Sequence, residues 1–183
     1  LQLIGLTYQL ETEIEQGRID LEALNEPDFS IEEEGLAAVR FTHSAGIRGQ
    51  GVSITLIRDA DSCYLRAKYL QAFVSDTTGG MKSYDWRLDS MSHVIRTAQM
   101  NEVFNKLDDC FFWDINGDIT ARAGFDGYSW YLEAAAWDHD LYQYHQVGRW
   151  VPYKGSFYEA CMYIIQLSDP EVGLDVNKII SGR

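Results

Sequence analysis

Basic residues, paired cysteines and long apolar runs are all scarce in this chain, and each shortage closes off a class of function. Lys and Arg number 15 against 28 Asp and Glu, for a formal charge of −13. No basic stripe interrupts that excess, so phosphate backbones are repelled and nucleic-acid binding is not expected. The three cysteines, Cys63, Cys110 and Cys161, are too scattered for a disulfide framework and form no C-x-x-C pair. Reduced, buried thiols are expected instead. Cys110, within "LDDCFFW", should be a poor nucleophile because its carboxylate neighbours disfavour the thiolate. The apolar opening ends within "LQLIGL", too short to span a membrane and without the flanks of a signal peptide, so a cytoplasmic location is expected. Also missing are G-x-S-x-G, the P-loop and G-x-G-x-x-G, which argues against the commonest hydrolases and nucleotide binders.

What is present suits an ordinary globular protein. A hydrophobic fraction of 46% and 183 residues suffice for one domain with a sizeable core. The acidity is uneven, because residues 1–34 hold ten Asp and Glu against Arg18 alone and so carry −9 of the −13. Residues 1–36 therefore read as an acidic arm with a helical segment, and residues 37–183 as a single α+β domain. Within the arm, "SIEE" has the capping-box pattern, Ser30 with Glu33, and predicts a short helix that Gly35 stops.

Beyond the arm, "AAVRFTH" (37–43) reads as a strand, and "GVSITLIR" and "SCYLRAKYLQAF" around "DAD" read as an antiparallel hairpin. In the hairpin Val52, Ile54 and Leu56 alternate with Ser53 and Thr55, while Leu65, Ala67 and Tyr69 alternate with Tyr64, Arg66 and Lys68, leaving one wet face. "SDTTGG" (75–80) is the next breaker. Met100, Val103, Phe104 and Leu107 fall at helical spacing, which predicts a helix over 97–109 with Thr97 as N-cap. A second helix is predicted from Ser156, whose capping partner is Glu159. Its core stripe is Phe157, Ala160, Cys161, Ile164 and Leu167, and Pro170 is its stop. Without β-α-β alternation, the expected fold is an antiparallel sheet with two main helices packed on one face.

Candidate chemistry concentrates in "GFDGYSWYLEAAAWDHDLYQYHQVGRW" (124–150), which reads as a turn and then a hairpin with its tip at "WDHD". Glu133 interrupts an apolar run and must find a partner or be protonated. A hairpin centred near His139 places it opposite Tyr144 or His145, with Arg149 further along. The chemical reading is a general acid or base paired with His145. The plainer one is a structural Glu133 bonded to His145, Arg149 or a tyrosine. His139 and His145 with Asp138 and Asp140 lack metal-ligand spacing, and "DINGD" (114–118) lacks the glutamate a calcium loop needs, since position 125 is Phe. No metal or cofactor is expected.

The segments "VRFTH", "IRGQGVSITLIR", "VFNKLDDCFFW", "GFDGYSWYLE" and "YHQVGRWVP", with the helix from Ser156, resemble an uncharacterised bacterial family of small proteins. Its signature is G-[LF]-D-G-x-x-W-x-L-E followed by Y-H-x-V-x-R-W. The resemblance covers about residues 37–168. It departs at Val151, where the family commonly has Ser, and in a longer hairpin, "AAAWDHDLYQ". It implies an α+β fold and no activity. The recurring Asp126, Gly127, Trp130, Glu133, His145, Arg149 and Trp150 fit either a ligand pocket or an architectural core, and the candidate binding set is Asp126, Trp130, Glu133, His145, Arg149 and Trp150. The leading expectation is a non-enzymatic bacterial interaction protein, of immunity or inhibitor type, that covers a basic partner surface. One alternative is a small enzyme or ligand-binding domain built on Glu133, His145 and Arg149. Another is an assembly domain whose arm packs on a second subunit.

Overall fold

A computed structural model describes residues 24–45, 50–59, 62–76, 83–115, 128–150 and 152–172. Among these residues six strands run as β1 (Ala37–Ala45), β2 (Gln50–Asp59), β3 (Ser62–Asp76), β4 (Ser83–Ile95), β5 (Tyr128–Asp138) and β6 (Leu141–Trp150). They form one sheet in the order β4-β3-β2-β1-β5-β6, with every neighbouring pair antiparallel. Helix α1 (Thr97–Asp109), a 3₁₀ turn (Phe112–Asp114) and helix α2 (Ser156–Val172) complete the α+β fold. No described helix is long and apolar enough to cross a membrane.

Strand alternation explains why both helices lie on one side. Val39 and Phe41 of β1 are in register with Leu56 and Ile54 of β2, and those in turn with Leu65 and Ala67 of β3. On the other flank the same two residues meet Ala134 and Leu132 of β5. All point to the side where α1 inserts Met100, Val103 and Leu107 and α2 inserts Ala160, Cys161, Ile164 and Ile165. Burying a side chain of Leu, Ile, Phe or Met size stabilises the fold by about 1.5–3 kcal/mol, so this layer dominates its stability. Cys63, Cys110 and Cys161 are free and buried, as their scatter suggested.

Several local expectations need correction. Ser30 does not start a helix, because its N–H and Oγ both bond Asp28 Oδ1, at 2.9 and 2.6 Å. An aspartate-centred turn has captured the would-be cap. In α1 the cap is Arg96 rather than Thr97, and Gln99 Oε1 returns to accept from the Arg96 N–H at 3.0 Å. Ser156 is already inside α2, with the Glu159 N–H reaching the Gly155 carbonyl at 3.0 Å. Pro170 does not stop that helix either, for it lies in the last turn before Val172. Strand β4 is an element that the periodicity did not reveal. "DINGD" and "SDTTGG" lie mainly outside the described residues.

The "CFFW" knot resolves into a chain reversal. Phe111 adopts φ 53° and stands 72% exposed, while Phe112 is fully buried. A left-handed residue just past a helix end is normally glycine, and this one turns the chain so that its successor enters the core.

Candidate functional site

The opposite side of the sheet is neither apolar nor wet. Arg40, Thr42, Ser53, Thr55, Lys68 and Glu133 all project there, and all are buried. Residues 24–36 cover them. Phe29 of this segment packs with Ala38, Ile57 and Ala135, and Leu36, Tyr64, Tyr142 and Tyr144 close the edges of that small cluster.

Charged groups fasten the segment alongside this apolar contact. Register places Arg40 of β1 directly between Glu133 of β5 and Thr55 of β2, with Arg66 of β3 next to Thr55. Arg40 Nε donates to Glu133 Oε2 at 2.6 Å, its Nη1 donates to the Pro27 carbonyl at 2.8 Å, and its guanidinium lies 4.1 Å from the centre of the Phe29 ring. Glu26, from the covering segment, reaches into the same place. Its Oε2 accepts from Thr55 Oγ1 at 3.0 Å and from Arg66 Nη2 at 3.2 Å, and lies 3.5 Å from Arg40 Nη1. Lys68 Nζ stands 3.1 Å from Glu26 Oε1 and donates to the carbonyls of Leu24 and Asn25. Oε1 consequently has a cation beside it and no aligned hydrogen bond. Three cations thus converge on a carboxylate with no solvent exposure of its own.

The β5–β6 hairpin supplies the remaining fasteners. Trp137 Nε1 donates to the Glu33 carbonyl at 2.9 Å, and Tyr142 Oη donates to the Phe29 carbonyl at 2.7 Å. Tyr144 Oη donates to Glu133 Oε1 at 3.1 Å. Burial pushes the Tyr144 phenol well above its ordinary range, and the adjacent Glu133 carboxylate adds to the shift. Tyr142 is pushed up too, first by burial and then by Glu33, Glu32 and Asp28.

A groove of about 560 Å³ opens between this segment and strands β2 and β3. Glu26, Asp28, Glu33, Glu34 and Asp59 line it, with Arg58 and Arg66 as its cations.

The candidate residues chosen from the sequence fall on both sides of the sheet. Glu133 pairs across the hairpin with Gln146, not with Tyr144 or His145, while His145 pairs with Ala134 and Arg149 with Trp130. A one-residue difference in register exchanges faces. Glu133 therefore joins the charged layer under the arm, and His145 and Arg149 join the helix side, so the three share no pocket. His145 Nε2 lies 2.8 Å from the Ile115 carbonyl with its ring against Phe112, and Arg149 donates to the Gly148 carbonyl and lies over the Phe157 ring. Trp130 is fully buried, stacked on Tyr158 at 5.5 Å and edge-on to Phe41 at 5.2 Å. Trp150 stands opposite Ser129 at the end of β6. Asp126 and Gly127 lie outside the described residues.

Sequence reasoning passed over Glu26, Arg40, Arg66 and Lys68, whereas the tyrosine partner it allowed for Glu133 is found in Tyr144. One signal was available in Ser53 and Thr55, short hydroxyl side chains that solvate a strand face poorly compared with Lys or Glu. Cys110 conforms to expectation, its thiol pushed up chiefly by burial, with Asp109 and Asp108 contributing. Among the described residues no group of three His, Cys, Asp or Glu is arranged to hold a metal ion. Neither a protein-family model nor a curated protein matches this chain.

Proposed function

We propose that the chain is a non-enzymatic interaction protein, of the bacterial immunity or inhibitor kind, whose acidic arm covers a basic surface on a partner protein. The observation that carries this reading is the way the arm is presented. Glu32, Glu33 and Glu34 are exposed on a segment fixed to the sheet by Trp137 and Tyr142. Ile31 stands among them with 66% of its surface exposed. A fixed row of carboxylates loses little conformational entropy on binding, and one apolar side chain at its centre supplies desolvated contact area. The neighbouring groove, rich in carboxylates, extends the same field towards β2 and β3.

The rival reading, an enzyme or ligand pocket on Glu133, His145 and Arg149, has no common face on which to assemble. An array of Lys- and Arg-bearing peptides, probed with the full chain at low and high salt, tests the interaction reading. Capture should be strong at low salt, weaken at high salt, and disappear in a variant carrying Glu32→Lys, Glu33→Lys and Glu34→Lys. Equal capture by that variant would sink it.

A further inference from the structure

The charged layer is built like a recognition site with its ligand in place. Arg40, Arg66 and Lys68 project from two different strands towards a single carboxylate, that of Glu26. They also hold main chain, because Lys68 takes the carbonyls of Leu24 and Asn25 and Arg40 takes that of Pro27. Side-chain anion and peptide carbonyls together describe an extended acidic peptide rather than a bare anion. A purely architectural layer would be simpler in hydrocarbon, since buried ion pairs seldom outperform apolar packing of the same volume.

The present occupant also leaves the site incompletely satisfied. Glu26 Oε1 is buried without a hydrogen bond, and Arg66 Nε is buried without an acceptor. The Arg66 fork could engage a carboxylate through both edges, yet here it uses Nη2 alone. The covering segment joins β1 through Gly35, whose φ of +74° and open surroundings mark a place where the chain can change direction.

We infer that this face of the sheet is a carboxylate-peptide site which the chain's own residues 24–29 occupy in cis, and which accepts the same segment from a second copy of the chain. Exchange of an identical element between protomers needs no new complementarity, because every contact of the closed form is remade in the exchanged one. The cis arm competes through its high effective concentration, so the closed monomer prevails in dilute solution and the exchanged dimer gains with concentration. This inference concerns what holds the arm and stands apart from what the arm's outer carboxylates bind.

The test uses a fluorescein-labelled peptide of residues 24–36, LNEPDFSIEEEGL, titrated by anisotropy against the full chain. A Glu26→Gln variant, deprived of its cis carboxylate, should bind the peptide at least about ten-fold more tightly than the native chain does. Adding Arg66→Gln and Lys68→Met to that variant should remove the gain. A Glu26→Gln chain with native near-ultraviolet circular dichroism that ignores the peptide, or that binds it equally without Arg66 and Lys68, overturns the inference. If Glu26→Gln fails to fold, excess peptide should restore the native signal in trans, and failure to do so overturns it as well. Native mass spectrometry of the unmodified chain should show a dimer that grows with concentration and is absent from the Arg66→Gln, Lys68→Met variant. Monomer at every concentration overturns the second-copy version.

Discussion

The two faces of this sheet are closed by different physics. On one, helices α1 and α2 bury a continuous apolar cluster against Phe41, Leu56, Leu65 and Trp130. On the other, residues 24–36 are held over Arg40, Lys68 and Glu133 by directional contacts, with a small apolar cluster around Phe29 among the described residues. Apolar burial is non-directional and tolerant of conditions, whereas a buried ion network depends on every partner being present and correctly charged. The helix layer therefore sets whether the chain folds. The arm layer sets where the acidic segment sits, and it can be disturbed by single charges.

The largest break in that contrast should come from the helix side. Trp130→Ala removes a fully buried ring held between Tyr158 and Phe41, and should cost near the upper end of about 3–5 kcal/mol. Urea denaturation followed by circular dichroism would measure it, and a cost below about 1 kcal/mol would contradict the packing described. On the arm side, Glu133→Ala should cost about 3 kcal/mol, because it takes the nearer carboxylate from the fully buried Arg40 and leaves it Glu26 at 3.5 Å and the Pro27 carbonyl. Replacing both partners, Arg40→Met with Glu133→Leu, should cost less than Glu133→Ala alone, since no uncompensated charge remains. If the double variant is the less stable of the two, the pair acts as more than mutual neutralisation.

Acid separates the two layers further. His43 lies on the helix side beside Trp130, and burial lowers its pKa from 6.5 to about 4. The unfolded chain takes up this proton at higher pH than the folded one, so the neutral ring favours folding fully above pH 6.5. That contribution is lost as pH falls from 6.5 to about 4. Its full size is about 3 kcal/mol by linkage. Stability measured against pH should flatten in this window in a His43→Gln chain, and an unchanged slope would assign the acid sensitivity elsewhere.

The sequence was most informative where one physical rule acted alone. Met100, Val103 and Leu107 define α1 through helical period, and the β2–β3 and β5–β6 hairpins follow from alternation and a short turn. Strand β4 escaped because its apolar residues keep no single phase, Trp86, Leu88 and Val94 falling at even positions and Met91 and Ile95 at odd ones. The site was less legible for a related reason. Glu133 was identifiable as a residue needing a partner, but a register left open between Tyr144 and His145, which lie on opposite faces, did not decide which face it joins. Arg40, in contact across the sheet with Glu133, is 93 positions away in the chain, and no local pattern links them. Nor does the arm's composition reveal that, among its described residues, Glu26 is the carboxylate turned inward.

The smallest of these effects belongs to the hydrogen bond that completes the charged layer. Tyr144 donates to Glu133 Oε1, and its phenol is held neutral by burial and by that carboxylate. A folded-state pKa raised above the ordinary value of 10.0 gives stability that is whole below pH 10 and is lost as pH climbs beyond it, the reverse of His43. Tyr144→Phe should cost only about 1 kcal/mol at neutral pH, because Arg40 still neutralises Glu133, and it should remove part of the alkaline sensitivity. Hydrogen exchange across residues 24–36 distinguishes the layers more finely than total stability does. In Tyr144→Phe, amides of the arm should exchange faster while those of α1 and α2 keep their protection. Equal acceleration in the helices would mean that the arm and the helical core open together as one cooperative unit.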